Sequence, residues 1–147
     1  MVASPTTAYW YLTEQSMIDW EIVMDCFRKK LIKETENHEV AFIGYDENGV
    51  IRCINLRATD DSDFKKTVYG SDRQFAFRLV TEKNPVLHLY EAAIDLLSYL
   101  TLLKEQGVDY RDGNYISLGG IYQPVLVKHF CNTLFDKYLS VTSFHWC

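Results

Sequence analysis

The chain has 147 residues, 48% of them hydrophobic and 24% charged, with 15 basic against 20 acidic side chains. This composition is typical of a globular protein of one domain, or one domain with an appended piece, and it excludes disordered and collagen-like chains. The apolar stretches are far shorter than the roughly 20 residues of a membrane helix, and the first residues do not resemble a signal peptide. We therefore expect a cytoplasmic protein without a membrane partner.

The net charge of −5 is unevenly distributed along the chain. Residues 1–50 carry four basic and nine acidic side chains, whereas residues 51–78 carry six basic and four acidic ones. A globally acidic chain is not an obvious nucleic-acid binder, so only the middle segment offers a cationic surface. The alternative is that these basic side chains are merely solvated at the edges of strands, and charge alone favours this alternative over a binding surface.

The first half predicts a helix followed by a small antiparallel sheet. Apolar residues recur at helical spacing over residues 16–31, with Asp19 as the N-cap. Residues 40–45 and 50–57 have the pattern of two strands, joined by a hairpin turn at Asn48-Gly49. An acidic loop follows over residues 58–63, and alternation over residues 74–80 predicts a third strand that buries Phe75 and Phe77.

The second half alternates strands and helices. Strands are predicted over residues 86–90, 115–118 and 140–147, and helices over residues 92–106 and 121–138, with Gly107 ending the first of these helices. This order predicts a parallel sheet with right-handed crossovers. The chain is therefore predicted to be an α/β protein, with a helix-plus-antiparallel-sheet domain over residues 1–82 and a second domain over residues 83–147.

The four cysteines do not form a recognisable metal or disulfide pattern. None has C-x-x-C spacing, and tetrahedral zinc needs more ligands than the close pairs His129/Cys131 and His145/Cys147 supply on their own. Without an export signal, disulfides are not expected. Cys26 and Cys53 lie in apolar periodic segments, which predicts that both are small core residues.

Two carboxylates at a strand–helix junction form the candidate catalytic site. Glu91 follows the first strand of the predicted parallel sheet, and Asp95 lies four residues later, in the first turn of the helix. Ligands of open α/β sheets bind at the carboxyl ends of the strands, where two carboxylates can share a Mg²⁺ ion for phosphoryl transfer. The alternative is that acidic residues stand there because the helix dipole stabilises them.

The segment from Glu91 to Asp95 resembles the Toprim motif, in which a strand ends in Glu and Asp follows four residues later. Residues 116–120 are similar to the second Toprim strand and its glycine turn. Residues 9–146 as a whole resemble primase-like proteins of bacterial mobile elements, in which a small domain of unknown function precedes a Toprim-like domain. This wider resemblance is carried by Tyr11-Leu12, residues 42–49, Phe64-Lys65, residues 70–73 and residues 75–79.

The resemblance implies a Rossmann-type parallel sheet with flanking helices, Mg²⁺ as the cofactor, Glu91 as general acid/base and Asp95 as a metal ligand beside it. It also implies an Asp-x-Asp motif after the third strand, but the sequence stops at Cys147, about where that motif begins in the family. Ala92 stands where the family often has Gly. One carboxylate pair holds Mg²⁺ loosely, so we expect a weak or absent metal site. The residues leave enzymatic activity open and favour inactivity of the chain alone.

Basic and aromatic residues are interleaved in the middle of the chain, a combination that binds single-stranded nucleic acid by charge and stacking. The candidate nucleic-acid contacts are Arg57, Lys65, Lys66, Arg73 and Arg78. The alternative is that the aromatic residues face the core while the charges are merely solvated.

Two functions fit these observations. The first is a nucleic-acid-associated, primase- or nuclease-related protein of a mobile genetic element. The second is a non-catalytic binding or inhibitor protein of a mobile element or phage, for example an anti-CRISPR-type blocker whose acidic surface binds the cationic channel of a host nuclease. The expected partner is thus nucleic acid or a host nucleic-acid-binding protein, and the last strand, with Phe144 and Trp146, is a candidate for pairing with a second copy.

Overall fold

A computed structural model describes residues 1–81, 86–119 and 140–145, with the last range described by its backbone alone, and confirms the α/β fold class. The chain divides into two compact units, Met1–Phe77 and Arg78–Cys147. The domain boundary expected after residue 82 stays a prediction, because residues 82–85 lie outside the described ranges. Within those ranges, none of the helices has the length and apolar character needed to cross a membrane.

The first unit is a four-stranded antiparallel sheet with short helices before it. The sheet order is β1-β2-β3-β4, and each strand pairs antiparallel with its neighbour. Its elements are α1 (Thr6–Trp10), a π-helical turn (Tyr11–Gln15), α2 (Trp20–Arg28), β1 (Ile32–Glu34), β2 (Val40–Tyr45), β3 (Ile51–Arg57), β4 (Lys65–Thr67) and a 3₁₀ turn (Arg73–Phe75).

Helix α2 is shorter than the helix predicted over residues 16–31. Its predicted N-cap is confirmed, because the Asp19 carboxylate accepts hydrogen bonds from the backbone N–H groups of Glu21 and Ile22. Met17 (φ 56°) and Lys30 (φ 60°) both have left-handed backbone conformations, which a helix cannot include. These two residues therefore bracket the helix.

The predicted hairpin is also confirmed. The Asp46 N–H donates to the Val50 carbonyl, and Gly49 has φ of 76°, the left-handed conformation that such a turn requires. Cys26 and Cys53 are buried free thiols, as expected of small core residues.

The strand predicted over residues 74–80 is wrong. The Asp72 side chain accepts a hydrogen bond from the Gln74 N–H and begins a 3₁₀ turn. Phe77 is fully buried and packs edge-on against Phe42, but Phe75 is only partly buried. Only a two-residue strand, β5 (Arg78–Leu79), forms in this region, and it belongs to the second sheet. The short strands β1 and β4 complete the first sheet instead.

The second unit contains the predicted parallel strands. Its elements are β5, β6 (Val86–Tyr90), α3 (Ala93–Glu105), a 3₁₀ turn (Tyr110–Asp112), β7 (Asn114–Ser117) and β8 (Ser140–His145), and the sheet order is β5-β7-β6-β8. Strand β6 runs parallel to β7 and β8, whereas β5 is antiparallel to β7. Gly107 follows α3 with φ of 78°, as expected of a helix-ending glycine. The helix predicted over residues 121–138 lies outside the described residues.

Candidate functional site

The carboxyl edge of the second sheet positions Glu91. Tyr90, the last residue of β6, is in register with Ser117 of β7 and His145 of β8. Because the three strands are parallel, their carboxyl ends lie at one edge of the sheet. Glu91 is the next residue after β6 and is partly exposed there.

Asp95 lies at the same strand–helix junction. Helix α3 begins at Ala93 after Ala92, which makes no side-chain capping bond, and Asp95 is the acidic residue of the first turn. Both Asp95 and Glu91 are partly exposed. The structure therefore places both predicted carboxylates at the junction, one on the connecting segment and one on the helix.

The two carboxylates at this junction are ligands of the type that Mg²⁺ prefers, but two protein ligands are too few to complete its coordination. Carboxylate oxygens are the ligands that a hard cation prefers. Within the described ranges, however, no group of three or more His, Cys, Asp or Glu side chains is arranged to hold a metal ion. A cation at Glu91 and Asp95 would take its remaining ligands from water or from a bound anion.

An aromatic cluster packs beside the junction, which sequence reasoning missed. Tyr90 is fully buried, with its ring 5.7 Å from that of Tyr99 and 6.4 Å from that of Tyr115, and His88 stacks on Tyr115 at 5.5 Å. Burial raises the pKa of Tyr90 and of Tyr115 above the ordinary value of 10.0, so both phenols keep their protons further into the alkaline range. The cluster fixes the end of β6 immediately before Glu91.

Of the five predicted nucleic-acid residues, the structure brings together Arg57 and Lys65. They stand directly opposite each other on β3 and β4 and so share a face of the first sheet, whereas Lys66 stands opposite Leu56 on the other face. Arg73 is exposed on the 3₁₀ turn. Arg78 lies on β5 in the second unit, so the five residues are not one cluster within either unit.

Arg57 is held in place by a tyrosine. Its Nε donates a hydrogen bond of 2.7 Å to the hydroxyl of Tyr11, which lies in the π-helical turn. In the described part of the chain, neither Arg57 nor Lys65 forms an ion pair, whereas the side chains of Arg28, Arg52 and Arg111 each pair with an aspartate. Among the described residues, no acidic side chain therefore neutralises either cation.

A buried carboxylate positions a histidine on the first sheet. Glu34 on β1 is only 2% exposed, and its Oε1 accepts a 2.6 Å hydrogen bond from the Ala8 N–H. Its Oε2 lies 2.7 Å from Nδ1 of His38, whose side chain is 60% exposed. The sequence analysis missed this pair, although the Glu34-x-x-x-His38 spacing was the available signal.

A separate surface cavity of about 350 Å³ opens near the same end of the first sheet. Its lining is polar and acidic, and consists of Asn37, Glu39, Ala58, Thr59, Asp60, Ser62 and Phe64. The Ser62 hydroxyl and N–H hold the pKa of Asp60 below its usual value. His38 and Arg57 do not line this cavity themselves, although their neighbours in the chain do.

Comparisons with known proteins agree with this fold. The family model described as "Protein of unknown function (DUF3991)" matches residues 10–84, just over half of the chain. The uncharacterized protein pXO2-78 of Bacillus anthracis is 29% identical over 127 residues, which cover 82% of this chain and 36% of that protein.

Two solved primase structures share the fold. The primase fragment of the bacteriophage T7 primase-helicase protein superposes with a TM-score of 0.56 and 17% identity, over 88% of this chain and 50% of that one. The DnaG primase catalytic domain bound to ssDNA superposes with a TM-score of 0.52 and 11% identity, over 100% of this chain and 57% of that one. The chain thus has a primase-type fold and spans about half the length of these structures.

Proposed function

The chain belongs to the DUF3991 family, and we propose that it is a nucleic-acid-binding protein whose second unit is a Toprim-like module of the primase and nuclease type. The observation that carries the proposal is the position of Glu91, directly after β6, at an edge where three parallel strands end together. The shared fold with primase fragments supports it. We further propose that the chain acts in the cytoplasm, within the nucleic-acid biology of a mobile element, for which the pXO2 designation of its relative is the support.

Glu91 and Asp95 are the residues that we propose to hold Mg²⁺. When bound, the ion would polarise a phosphoryl oxygen and orient the phosphate group. The chain's own contribution is to hold Glu91 at the sheet edge, through the buried Tyr90, and Asp95 in the first turn of α3. With only two carboxylates the ion is bound weakly.

The first test is calorimetric titration with Mg²⁺ and Mn²⁺. We expect weak saturable binding to the wild-type chain that is lost in Glu91→Ala. Glu105→Ala is the matched control, because it removes an exposed carboxylate from the far end of the same helix. Binding that is equal in all three proteins, or absent from the wild type, would remove the metal part of the proposal.

The second test is binding of single-stranded oligonucleotides by fluorescence anisotropy. Lys65 and Lys66 are exposed on β4, which is an edge of the first sheet, and Tyr69 beside them is 99% exposed, so charge and stacking are both available. We expect Lys65→Ala, Lys66→Ala and Tyr69→Ala to weaken binding and each lysine change to reduce the salt dependence. Lys29→Ala, an exposed lysine after α2, is the control.

A second candidate function is that of a non-catalytic binder or inhibitor of a host nucleic-acid-binding protein. The net charge of −5 and the excess of acidic residues before residue 51 favour it, since an acidic surface is drawn to a cationic channel. It predicts that a purified host nuclease binds the chain and loses activity. Failure of oligonucleotide binding together with nuclease inhibition would favour this function over the first.

The last strand remains a candidate for self-association. Strand β8 is an end member of the second sheet in the described part of the chain, and edge strands can pair with another chain. Light scattering after size exclusion measures this directly, and a monomer at all concentrations would exclude pairing.

A further inference from the structure

We propose that the first sheet carries a phosphate-binding site in which His38 and Arg57 bind the phosphate group and Glu34 and Tyr11 position them. The site belongs to the first unit, whereas the Glu91–Asp95 junction belongs to the second. It rests on the proposed function only for the source of its ligand, a phosphate group of a nucleotide or of a nucleic-acid strand.

The register of the sheet places Glu34 and Arg57 on one face. Glu34 stands opposite Val40, Val40 opposite Arg57, and Arg57 opposite Lys65, so the four form a single row across β1 to β4. Residues directly opposite in antiparallel strands share a face and lie within about 5.5 Å of each other. The row thus carries a carboxylate at one end and two cations at the other.

His38 joins this row at the turn between β1 and β2. The Thr59 hydroxyl, two residues beyond Arg57, donates a 2.8 Å hydrogen bond to the His38 carbonyl. The His38 N–H donates to the Thr35 carbonyl, and the backbone has φ of 63°. A left-handed histidine is uncommon, and these contacts fix it beside the chain that leaves β3.

The Glu34–His38 pair leaves one imidazole nitrogen for a ligand. Burying a carboxylate is costly unless both oxygens are satisfied, and here the Ala8 N–H and the His38 ring satisfy them. Because Nδ1 is engaged with Glu34, a ligand must approach Nε2 of the exposed ring. A protonated Nε2 donates to a phosphate oxygen, and Glu34 balances the charge of the imidazolium.

Arg57, like His38, has one side-chain nitrogen hydrogen-bonded within the protein and others left for a ligand. Its Nε is engaged with Tyr11, which leaves the terminal guanidinium nitrogens for the two-point contact that arginine makes with phosphate. Lys65 directly opposite is a like charge, an unfavourable arrangement that an anion between the two relieves. The nearby acids Glu39 and Asp60 line the separate cavity rather than this face.

The test is titration of the full chain with three metal-free probes, namely pyrophosphate, a nucleoside triphosphate and a single-stranded oligonucleotide. Binding is followed by calorimetry and by the NMR signals of the four histidines. We expect His38→Asn and Arg57→Gln each to weaken binding at least about tenfold, the effect of one hydrogen bond to a charged group. Asn suits the left-handed backbone and keeps a donor for Glu34 but lacks Nε2, and Arg28→Gln is the charge-matched control.

The outcomes separate this site from the proposed function. Binding of pyrophosphate and triphosphate alone assigns the site to a free nucleotide, and binding of the oligonucleotide alone assigns it to a strand. Oligonucleotide binding in the wild type, with the affinity for every probe unchanged in both variants, leaves the proposed function standing and overturns the site. Absence of binding to all three probes overturns the site as well.

Glu34→Gln tests the positioning role. The Gln amide can still accept from the Ala8 N–H, but its NH₂ group faces His38 and makes Nδ1 an acceptor, which leaves the neutral Nε2–H tautomer without the positive charge that attracts phosphate. We expect the ¹⁵N shifts of His38 to report this tautomer change, together with weaker pyrophosphate binding. An unchanged tautomer with unchanged affinity would reduce Glu34 to a structural residue and overturn its part in the site.

Discussion

The two sheets position their candidate residues by different means. In the second sheet, parallel strand order brings Glu91 to an edge where β6, β7 and β8 end together, and the buried Tyr90 holds the end of β6 there. In the first sheet, His38 and Arg57 depend on particular side chains, because Glu34 holds one and Tyr11 holds the other. A site set mainly by topology tolerates most side-chain changes around it, whereas a site set by particular contacts is weakened when any one of them is removed.

The largest expected effect is a loss of stability in the first unit, where the backbone of Phe75 lies close to Gly44 of β2. A Cβ on Gly44 of β2 would overlap the carbonyl oxygen of Phe75, and backbone cannot move aside as a flexible side chain does. We expect Gly44→Ala to lower the free energy of unfolding by about 3 kcal/mol. Urea unfolding followed by tryptophan fluorescence measures it.

The matched control for that change is Gly49→Ala. Gly49 has no atom within 4 Å of an added Cβ but has φ of 76°, so the substitution costs only backbone strain, about 1 kcal/mol. If the two variants were equally destabilised, the close packing of β2 against residues 75–77 would not be the reason for Gly44.

The next effect compares two replacements of Glu34. Glu34→Leu leaves the Ala8 N–H and the His38 ring without an acceptor, and we expect a loss of about 2 kcal/mol. Glu34→Gln keeps an acceptor for Ala8 and is expected to lose clearly less. Thermal unfolding of both variants measures the difference, and a Gln variant as unstable as the Leu variant would mean that the carboxylate charge itself stabilises the first unit.

Regular patterns made the second sheet predictable. The apolar run of β6, the helical spacing of α3 and Gly107 each indicate local structure, and the parallel order follows from their alternation. The same reasoning gave β2, β3 and their turn. Glu91 and Asp95 were found because a strand end is visible in sequence, but whether they bind metal stays a prediction.

The first sheet was less predictable because long-range contacts decide it. Strands β1 and β4 have three residues each, too few to show a period. Residues 74–80 alternate like a strand, yet the Asp72 side chain caps a 3₁₀ turn there. Gly44, which has no Cβ, allows the backbone of Phe75 in this turn to lie against β2. The Glu34–Ala8 bond joins residues 26 positions apart, and the Arg57–Tyr11 bond joins residues 46 apart, so neither left a local signal.

A smaller effect is expected at the start of α2. Asp19 caps the helix through its carboxylate, so Asp19→Ala should cost about 1 kcal/mol. Asp19→Asn keeps a capping oxygen and should lose only a small part of that. Chemical denaturation distinguishes them, and equal losses would show that the charge, rather than the capping bond, is what α2 requires.

The smallest effect at neutral pH concerns a core thiol of the first unit. Burial raises the pKa of Cys26 from 9.0 to about 12, partly opposed by Lys29, so the folded thiol keeps its proton where the unfolded one loses it. Its contribution to stability is therefore complete below pH 9 and is lost as the pH rises from 9 towards 12. We expect slow modification of Cys26 by a thiol reagent at pH 8, at a rate set by unfolding.

The Cys26→Ala variant tests the contribution of the thiol to stability. Its free energy of unfolding should fall less steeply over the same pH range, while Tyr45, Tyr90 and Tyr115, whose pKa values burial also raises, titrate in both proteins. If the free energy of unfolding fell equally with rising pH in the two proteins, these tyrosines, two of them in the second unit, would account for the alkaline loss of stability. The Cys26 thiol of the first unit would then make no contribution to it.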